Sequence, residues 1–323
     1  MKAIAWTKYG APEVLKLIEL EKPSPKKDEV LIKVHASSVT AGDCRLRAFK
    51  VPMGFWLPTR LAFGLTKPRN PIPGMDISGE IESIGKNVKL FKEGDKVYGT
   101  TGMRLGANAE YTCLSENAAL VKKPNNISHE QAVAIIFGGL TAIHFLKDKA
   151  NIQRGQKILV NGASGAVGTA SIQLAKYFGT EVTAICSTSN IELVASLGAK
   201  KVIDYTKEDF TKNNETYDVI LDAVGNLSLL QCKKSLKKQG KLILINTGLL
   251  TNLLSIIRKN VICGVAGESK EGLDFLRERT EAGDIEAVID KMYPLEQTAE
   301  AHRYVDTGRK KGNVVISVEH KET

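Results

Sequence analysis

Residues 157–170 read Lys-Ile-Leu-Val-Asn-Gly-Ala-Ser-Gly-Ala-Val-Gly-Thr-Ala. An apolar strand runs directly into a turn with glycine at 162, 165 and 168. A helix follows, apolar at Val167, Ile172, Leu174 and Ala175. In this arrangement Gly165 lets the backbone approach a pyrophosphate with no Cβ in the way, and Gly168 lets the helix pack tightly on the strand. The unpaired N–H groups of the first helical turn, at Ala166 and Val167, then face an anion. The spacing departs from G-x-G-x-x-G: Ala163 stands at the first glycine's place, and Gly162 lies one residue earlier. A glycine pattern alone is weak, and a plain glycine-rich turn is the alternative. The strand–turn–helix context is what gives it meaning.

That context extends along the chain. Strands are expected at 157–161, 181–186, 201–203, 218–222, 241–246 and 261–266. Helices are expected at 166–178, 190–197 and 227–236. Alternation of this kind predicts an α/β fold with a doubly wound parallel sheet. The earlier residues read differently. Segment 29–36 alternates as a strand, with Val30, Ile32 and Val34 on one face and Leu31, Lys33 and His35 on the other. Further short strands follow at 76–84 and 96–99, and a helix start is expected at Ser128. After the alternating part come a helix at 271–282, a strand near 287–293, a helix at 295–306 and a last strand at 313–318. With 323 residues, two domains are the first expectation.

Composition narrows the partners. The formal charge is +9, from 45 basic and 36 acidic residues. That admits nucleic acid, an acidic membrane surface or an anionic small molecule. Basic pairs such as Lys122-Lys123 and Lys237-Lys238 are scattered with no interleaved aromatics, which argues against nucleic acid. The apolar stretches 132–143 and 249–257 fall short of the about 20 residues that span a bilayer. No signal peptide is indicated at the N-terminus. Five widely spaced cysteines without a C-x-x-C pair argue against a disulfide framework and fit a reducing cytosol. Five histidines show no paired spacing, so no metal site is expected.

Two further readings concern the nucleotide. An NAD-type second strand ends in Asp or Glu, which accepts from the ribose 2′-OH. Here 182–186 is followed by Ser187, Thr188, Ser189 and Asn190, with no carboxylate. Ser187, Thr188 and Asn190 offer donors to a 2′-phosphate, so NADPH is favoured over NADH. A hydroxyl-rich helix cap at Ser189 or Asn190 is the alternative.

Several segments together resemble the zinc-independent medium-chain dehydrogenases/reductases, in the quinone oxidoreductase (zeta-crystallin-like) and enone reductase branch. They are Gly74-Met75-Asp76 through Gly85, Phe91 through Val97, Ala107 through Tyr111, Leu140-Thr141-Ala142, Gly162 through Gly168, Leu197-Gly198-Ala199 and Ile203-Asp204-Tyr205. The resemblance implies a GroES-like β-rich catalytic domain with an inserted Rossmann domain and an active site in the cleft. The expected boundaries are 1–124 and 267–323 for the catalytic domain and 125–266 for the NADP-binding domain. Zinc-dependent relatives carry Gly-His-Glu where this chain has Gly74-Met75-Asp76, and the four-cysteine lobe is missing, so no zinc is implied.

The resemblance further implies substrate positioning by Thr40, Asp43 and Arg47, with Arg45 nearby. An ion pair between Asp43 and Arg47 that orders the turn is the alternative. Cofactor contacts are implied at Thr141 and at Gly162, Ser164, Gly165, Ala166, Val167 and Gly168. Others fall at Ser187, Asn190 and Tyr205, at Ala223 and Val224, at Asn246, and at Lys311, Gly312 and Asn313. The implied activity is NADPH-dependent, cytoplasmic reduction of a small hydrophobic quinone or α,β-unsaturated carbonyl. An alcohol or aldehyde dehydrogenase of the same fold is one alternative. A nucleotide-binding protein without catalysis, with an RNA-binding or assembly role, is another.

Two stretches remain. Segment 48–73, rich in Pro, Gly, Phe and Trp, reads as a loop without a regular element, longer than the about 12–15 residues usual in compact domains. It is expected to form an apolar lid over a hydrophobic substrate, with packing against the catalytic domain as the alternative. The apolar connection 249–257 is expected to form a homodimer contact.

Overall fold

The computed structural model describes residues 1–245 and 247–320, so the expected cofactor contact Asn246 lies outside the described residues. The chain forms two compact units. One comprises Met1–Val51, Trp56–Ile136 and Glu268–Thr323; the other comprises Pro52–Phe55 and Phe137–Gly267.

The first unit is built on a mainly antiparallel sheet. Its order is Ile289–Pro294, Asn313–Ser317, Glu29–Val39, Asp76–Ile84, Lys96–Thr100 and Leu120–Lys122, with Tyr111–Ser115 also pairing to Glu29–Val39. Only Ile289–Pro294 and Asn313–Ser317 run parallel. In the long strand Glu29–Val39 the alternation holds in part: Leu31, placed with Lys33 and His35 on the second face, is buried while those two are half-buried, and on the first face Val30, Ile32 and Val34 are fully buried as expected. These side chains join Trp6, Ile77, Leu120 and Ile316 in the core. The helix His129–Ala134, started by the Ser128 capping box, belongs to this unit.

The second unit holds a six-stranded parallel sheet. Its order is Lys201–Asp204, Glu181–Cys186, Lys157–Asn161, Tyr217–Asp222, Leu236–Ile245 and Val261–Gly264. In chain order this is 3-2-1-4-5-6, the doubly wound dinucleotide-binding arrangement. The order reverses between Lys157–Asn161 and Tyr217–Asp222, and ligands bind outside the carboxyl ends of the strands at such a point.

Two expectations about elements are corrected, and the form of a third segment is added. Within 48–73 the structure forms a helix, Trp56–Phe63. The expected helix 227–236 shrinks to a single turn, Leu229–Cys232, although Ser228 and Gln231 form a capping box. Leu236 instead opens a strand and pairs with Tyr217, so sheet pairing overrides local helix preference. The connection 249–257 is a helix, Leu249–Ile257, on which Leu253 and Ile257 are exposed.

Candidate functional site

The glycine turn is held open by geometry that a side chain would spoil. Gly162 has φ +79°, and a Cβ there would lie 2.6 Å from Val224 Cγ2. At Gly168 a Cβ would come 2.2 Å from the Gly162 carbonyl oxygen, so the helix Ala166–Tyr177 sits directly on the turn. Gly165 differs. Its φ is −81°, and an added Cβ would meet only the Gly162 oxygen, at 3.6 Å. The protein itself thus has no steric need for glycine at 165, and the space before it is open to a ligand. Gly165 is the helix N-cap and supplies no side chain to its first N–H groups.

The end of the second strand closes one side of this turn. Asn190 Nδ2 donates to Ser164 Oγ at 3.0 Å and to Ser187 Oγ at 3.2 Å. Its Oδ1 is buried with no partner, a costly state unless something binds there. Ser187 Oγ also lies 3.3 Å from Ser189 Oγ. Thr141 is buried and donates back to Phe137 O at 2.7 Å.

Sequence reading found no carboxylate at this strand end, but the fold supplies one from the next strand. Asp204 stands in register opposite Cys186. Its carboxylate accepts from Thr188 Oγ1 at 2.5 Å and from Thr206 N and Oγ1 at 3.0 and 2.7 Å; Lys207 Nζ lies 3.5 Å away. These hydroxyl and amide donors, Thr188 first, hold its pKa down at about 2. With its acceptor sites engaged, Asp204 orders Thr188 and Thr206 and is not free to receive a ribose hydroxyl.

Sequence reading also missed the anchor of the fourth strand. Asp222 is fully buried and accepts from Asn161 Nδ2 at 2.9 Å, from Val224 N and Gly225 N at 3.0 Å, and from Leu227 N at 2.8 Å. Asn161 Nδ2 also donates to Asn226 Oδ1 at 2.7 Å. These bonds set the loop that carries Ala223 and Val224, the latter half exposed. A cavity of about 690 Å³ opens beside the strand ends, lined by Asn161, Ile185, Ile203, Tyr205, Asn226 and Leu227 among others. That volume lies within the range of small-molecule sites. The open cradle at Gly165, the uncapped helix start and the unpartnered Asn190 oxygen fit a dinucleotide whose phosphates are held by N–H donors.

In the first unit, Thr40 caps the helix Ala41–Ala48. Its N and Oγ1 both donate to Asp43 Oδ2, at 2.8 and 2.6 Å, and Asp43 N returns a bond to Thr40 Oγ1. Arg47 is buried and donates from Nη2 to Asp306 Oδ2 at 2.6 Å, so its ion pair is with Asp306 and not Asp43. Arg45 is half-buried on the same helix. Burial pushes the Asp43 carboxyl up. It pushes Asp76, which accepts from Ser38, well above the usual range, with Asp43 adding to the effect. Burial also raises Glu268. Lys311 N donates to Asp290 Oδ2, and both Asn313 N and Nδ2 reach Val288 O. Gly312 has φ +56°, and a Cβ there would strike Val288 O at 2.3 Å. These three residues thus shape the turn leading into the last strand.

Cys44 faces His302, with Sγ 3.3 Å from Nδ1. Burial raises the thiol pKa and lowers His302 to about 3. The sequence showed no grouping of histidines, but the fold assembles one. The His35 ring centroid lies 4.7 Å from that of His129 and 5.5 Å from that of His320. Among the described residues, no three His, Cys, Asp or Glu side chains are arranged to hold a metal ion. Met75, just ahead of the strand Asp76–Ile84, offers a thioether and no imidazole.

Known proteins share this architecture. Residues 26–125 match the alcohol dehydrogenase GroES-like domain, and residues 197–316 match the family described as zinc-binding dehydrogenase. A 2-methylene-furan-3-one reductase of Solanum lycopersicum is 36% identical, over 98% of this chain and 79% of the relative. A chloroplastic NADPH-dependent alkenal/one oxidoreductase of Arabidopsis thaliana is 33% identical, with the same coverage. Among solved structures, the quinone oxidoreductase from Coxiella burnetii superposes with a TM-score of 0.87 at 29% identity, over 99% of each chain.

Proposed function

Because the chain belongs to the medium-chain dehydrogenase/reductase family, in its quinone oxidoreductase and enone reductase branch, we propose that it transfers a hydride from NADPH to a quinone or an α,β-unsaturated carbonyl. The observation that carries the reading is the glycine turn, where Gly165 leaves ligand space open and Asn190 turns an unpartnered oxygen inward.

When bound, the dinucleotide supplies the hydride; the protein supplies binding, position and electrostatics. Gly162 through Gly168 hold the pyrophosphate by backbone N–H groups. Asn190 and Ser164 brace that turn, and Ser187 and Thr188 meet the adenosine ribose. Tyr205, Ala223 and Val224 line the adenosine side, and Thr141, Lys311, Gly312 and Asn313 complete the cofactor contacts. The preference for NADPH is supported by the hydroxyl of Ser187 and by an Asp204 whose acceptor sites are engaged, one of them by the Thr188 hydroxyl, which is thereby spent as a donor. Thr40, Asp43 and Arg47 act as positioning residues, since their polar groups hold the helix Ala41–Ala48 in place.

The reaction needs no zinc, a reading supported by Met75 and by the sequestration of Cys44 against His302. Free cysteines throughout the described residues suit a reducing compartment such as the cytosol. Leu253 and Ile257, exposed on the helix Leu249–Ile257, support a homodimer contact, and a monomer by light scattering would refute it. The test of the activity is coenzyme oxidation by metal-free protein with quinones and enones as acceptors.

A further inference from the structure

The helix Trp56–Phe63 turns its apolar side outward. Phe63 packs against the core of the first unit. Leu57 and Leu61 face solvent, each more than half exposed, and the turn that follows adds Leu65; Trp56, whose ring lies 6.0 Å from that of Phe49 and 5.2 Å from the Arg60 guanidinium, borders the inner side and is still more than half exposed. A single exposed leucine needs no explanation, but a contiguous group of large apolar side chains does.

The turn is fixed to the helix by its backbone. Gly64 N donates to Arg60 O at 2.9 Å and Arg69 N to Phe63 O at 2.8 Å, while Arg60 Nη1 donates to Leu65 O at 2.9 Å. Leu65, Lys67 and Arg69 are thereby held at the helix C-terminal end. On the inner side the Arg60 guanidinium lies over the Phe49 ring at 3.8 Å and the Tyr9 ring at 4.4 Å, which anchors the helix.

Charge along the segment that carries this helix has one sign. Between Asp43 and Asp76 the sequence has six basic residues, Arg45, Arg47, Lys50, Arg60, Lys67 and Arg69, and no Asp or Glu. Lys50, Lys67 and Arg69 are exposed and form no ion pair among the described residues. An apolar helical face fringed by unpaired cations, with a tryptophan in it, has the chemistry of a segment lying in a lipid interface. An apolar protein groove would match the leucines but would not call for cations alone; anionic headgroups match both.

We propose that Trp56, Leu57, Leu61 and Leu65, with Lys67 and Arg69, dock this protein on an anionic lipid surface. The helix lies in the plane of the interface and does not span the bilayer. The inference does not depend on the reductase reading, although a surface-docked enzyme would meet apolar quinones where they partition.

The chain itself carries the reporter. Of its two tryptophans, Trp6 is buried and Trp56 is exposed, so an emission change on adding vesicles reports Trp56. The full-length protein is titrated with phosphatidylcholine vesicles that contain or lack phosphatidylserine. The expected result is a blue shift and co-sedimentation with the anionic vesicles only, both reversed by high salt. Leu57→Glu with Leu61→Glu abolishes the shift. Lys67→Gln and Arg69→Gln each weaken binding about fivefold. Because all four side chains are exposed, unchanged thermal unfolding checks that the variants fold. No shift with anionic vesicles at low salt overturns the proposal, as does equal binding to phosphatidylcholine alone. A shift produced by an apolar quinone but not by vesicles also overturns it, and assigns the face to substrate covering.

Discussion

Asn190 spans the gap between the second strand's end and the glycine turn, with Nδ2 3.0 Å from Ser164 Oγ and Oδ1 buried without a partner. This side chain is placed for a ligand more than for the fold alone. Asn190→Ala should change the melting temperature little, because loss of the two bonds from Nδ2 is offset by removal of the buried unpaired oxygen. The KM for NADPH should rise about tenfold, the worth of one or two lost hydrogen bonds. A large loss of stability with unchanged KM would show that Asn190 serves the fold instead.

Gly165 and Gly168 separate binding from folding. Alanine at 165 meets nothing closer than 3.6 Å, at an ordinary φ. Gly165→Ala should therefore fold normally and bind the dinucleotide poorly, as followed by calorimetric titration. Alanine at 168 would sit 2.2 Å from the Gly162 oxygen. Gly168→Ala should lose about 1–3 kcal/mol of stability, the usual cost of overpacking. Equal stability losses in the two variants would contradict this division.

His302 makes stability depend on pH. Burial, with a smaller contribution from Arg47, lowers its pKa from 6.5 to about 3. The unfolded chain therefore binds the proton more readily than the folded one across that interval. The His302 contribution is complete above pH 6.5 and is lost as pH falls towards 3. By about pH 5 the loss should reach about 2 kcal/mol. Asp76, whose pKa is raised, works in the opposite sense: its contribution is greatest at low pH and declines as pH rises. Urea midpoints across this range for the parent and for His302→Gln isolate the histidine. Parallel curves for the two proteins would remove His302 from the account.

Much of this fold is legible from local pattern, and what is not legible is nonlocal. The strand and glycine turn at Lys157–Asn161 and Gly162–Gly168 are readable because apolar period and glycine position lie within fourteen residues. The helix at Trp56–Phe63 is hidden by Pro, Gly and aromatic composition; it forms where Phe63 finds the core and Arg60 finds Tyr9 and Phe49. Asp204 and Asp222 carry no local signature of their own. They meet Thr188 and Asn161 because neighbouring strands end in register, 16 and 61 residues away in sequence. The partner of Arg47 was missed for the same reason, since Asp306 lies in the last helix. His35, His129 and His320 likewise meet only through the sheet and its covering segments.

The central claim is hydride transfer from NADPH to an activated carbonyl without zinc. Metal-free protein is mixed with NADPH or NADH and, in turn, a 1,2-quinone, a 1,4-quinone, an enone and an enal, and oxidation of the coenzyme is followed. The account predicts turnover of at least one acceptor, a higher kcat/KM with NADPH than with NADH, and no gain on adding zinc. Tight NADPH binding with no turnover of any acceptor, or activity that appears only with zinc, would contradict it.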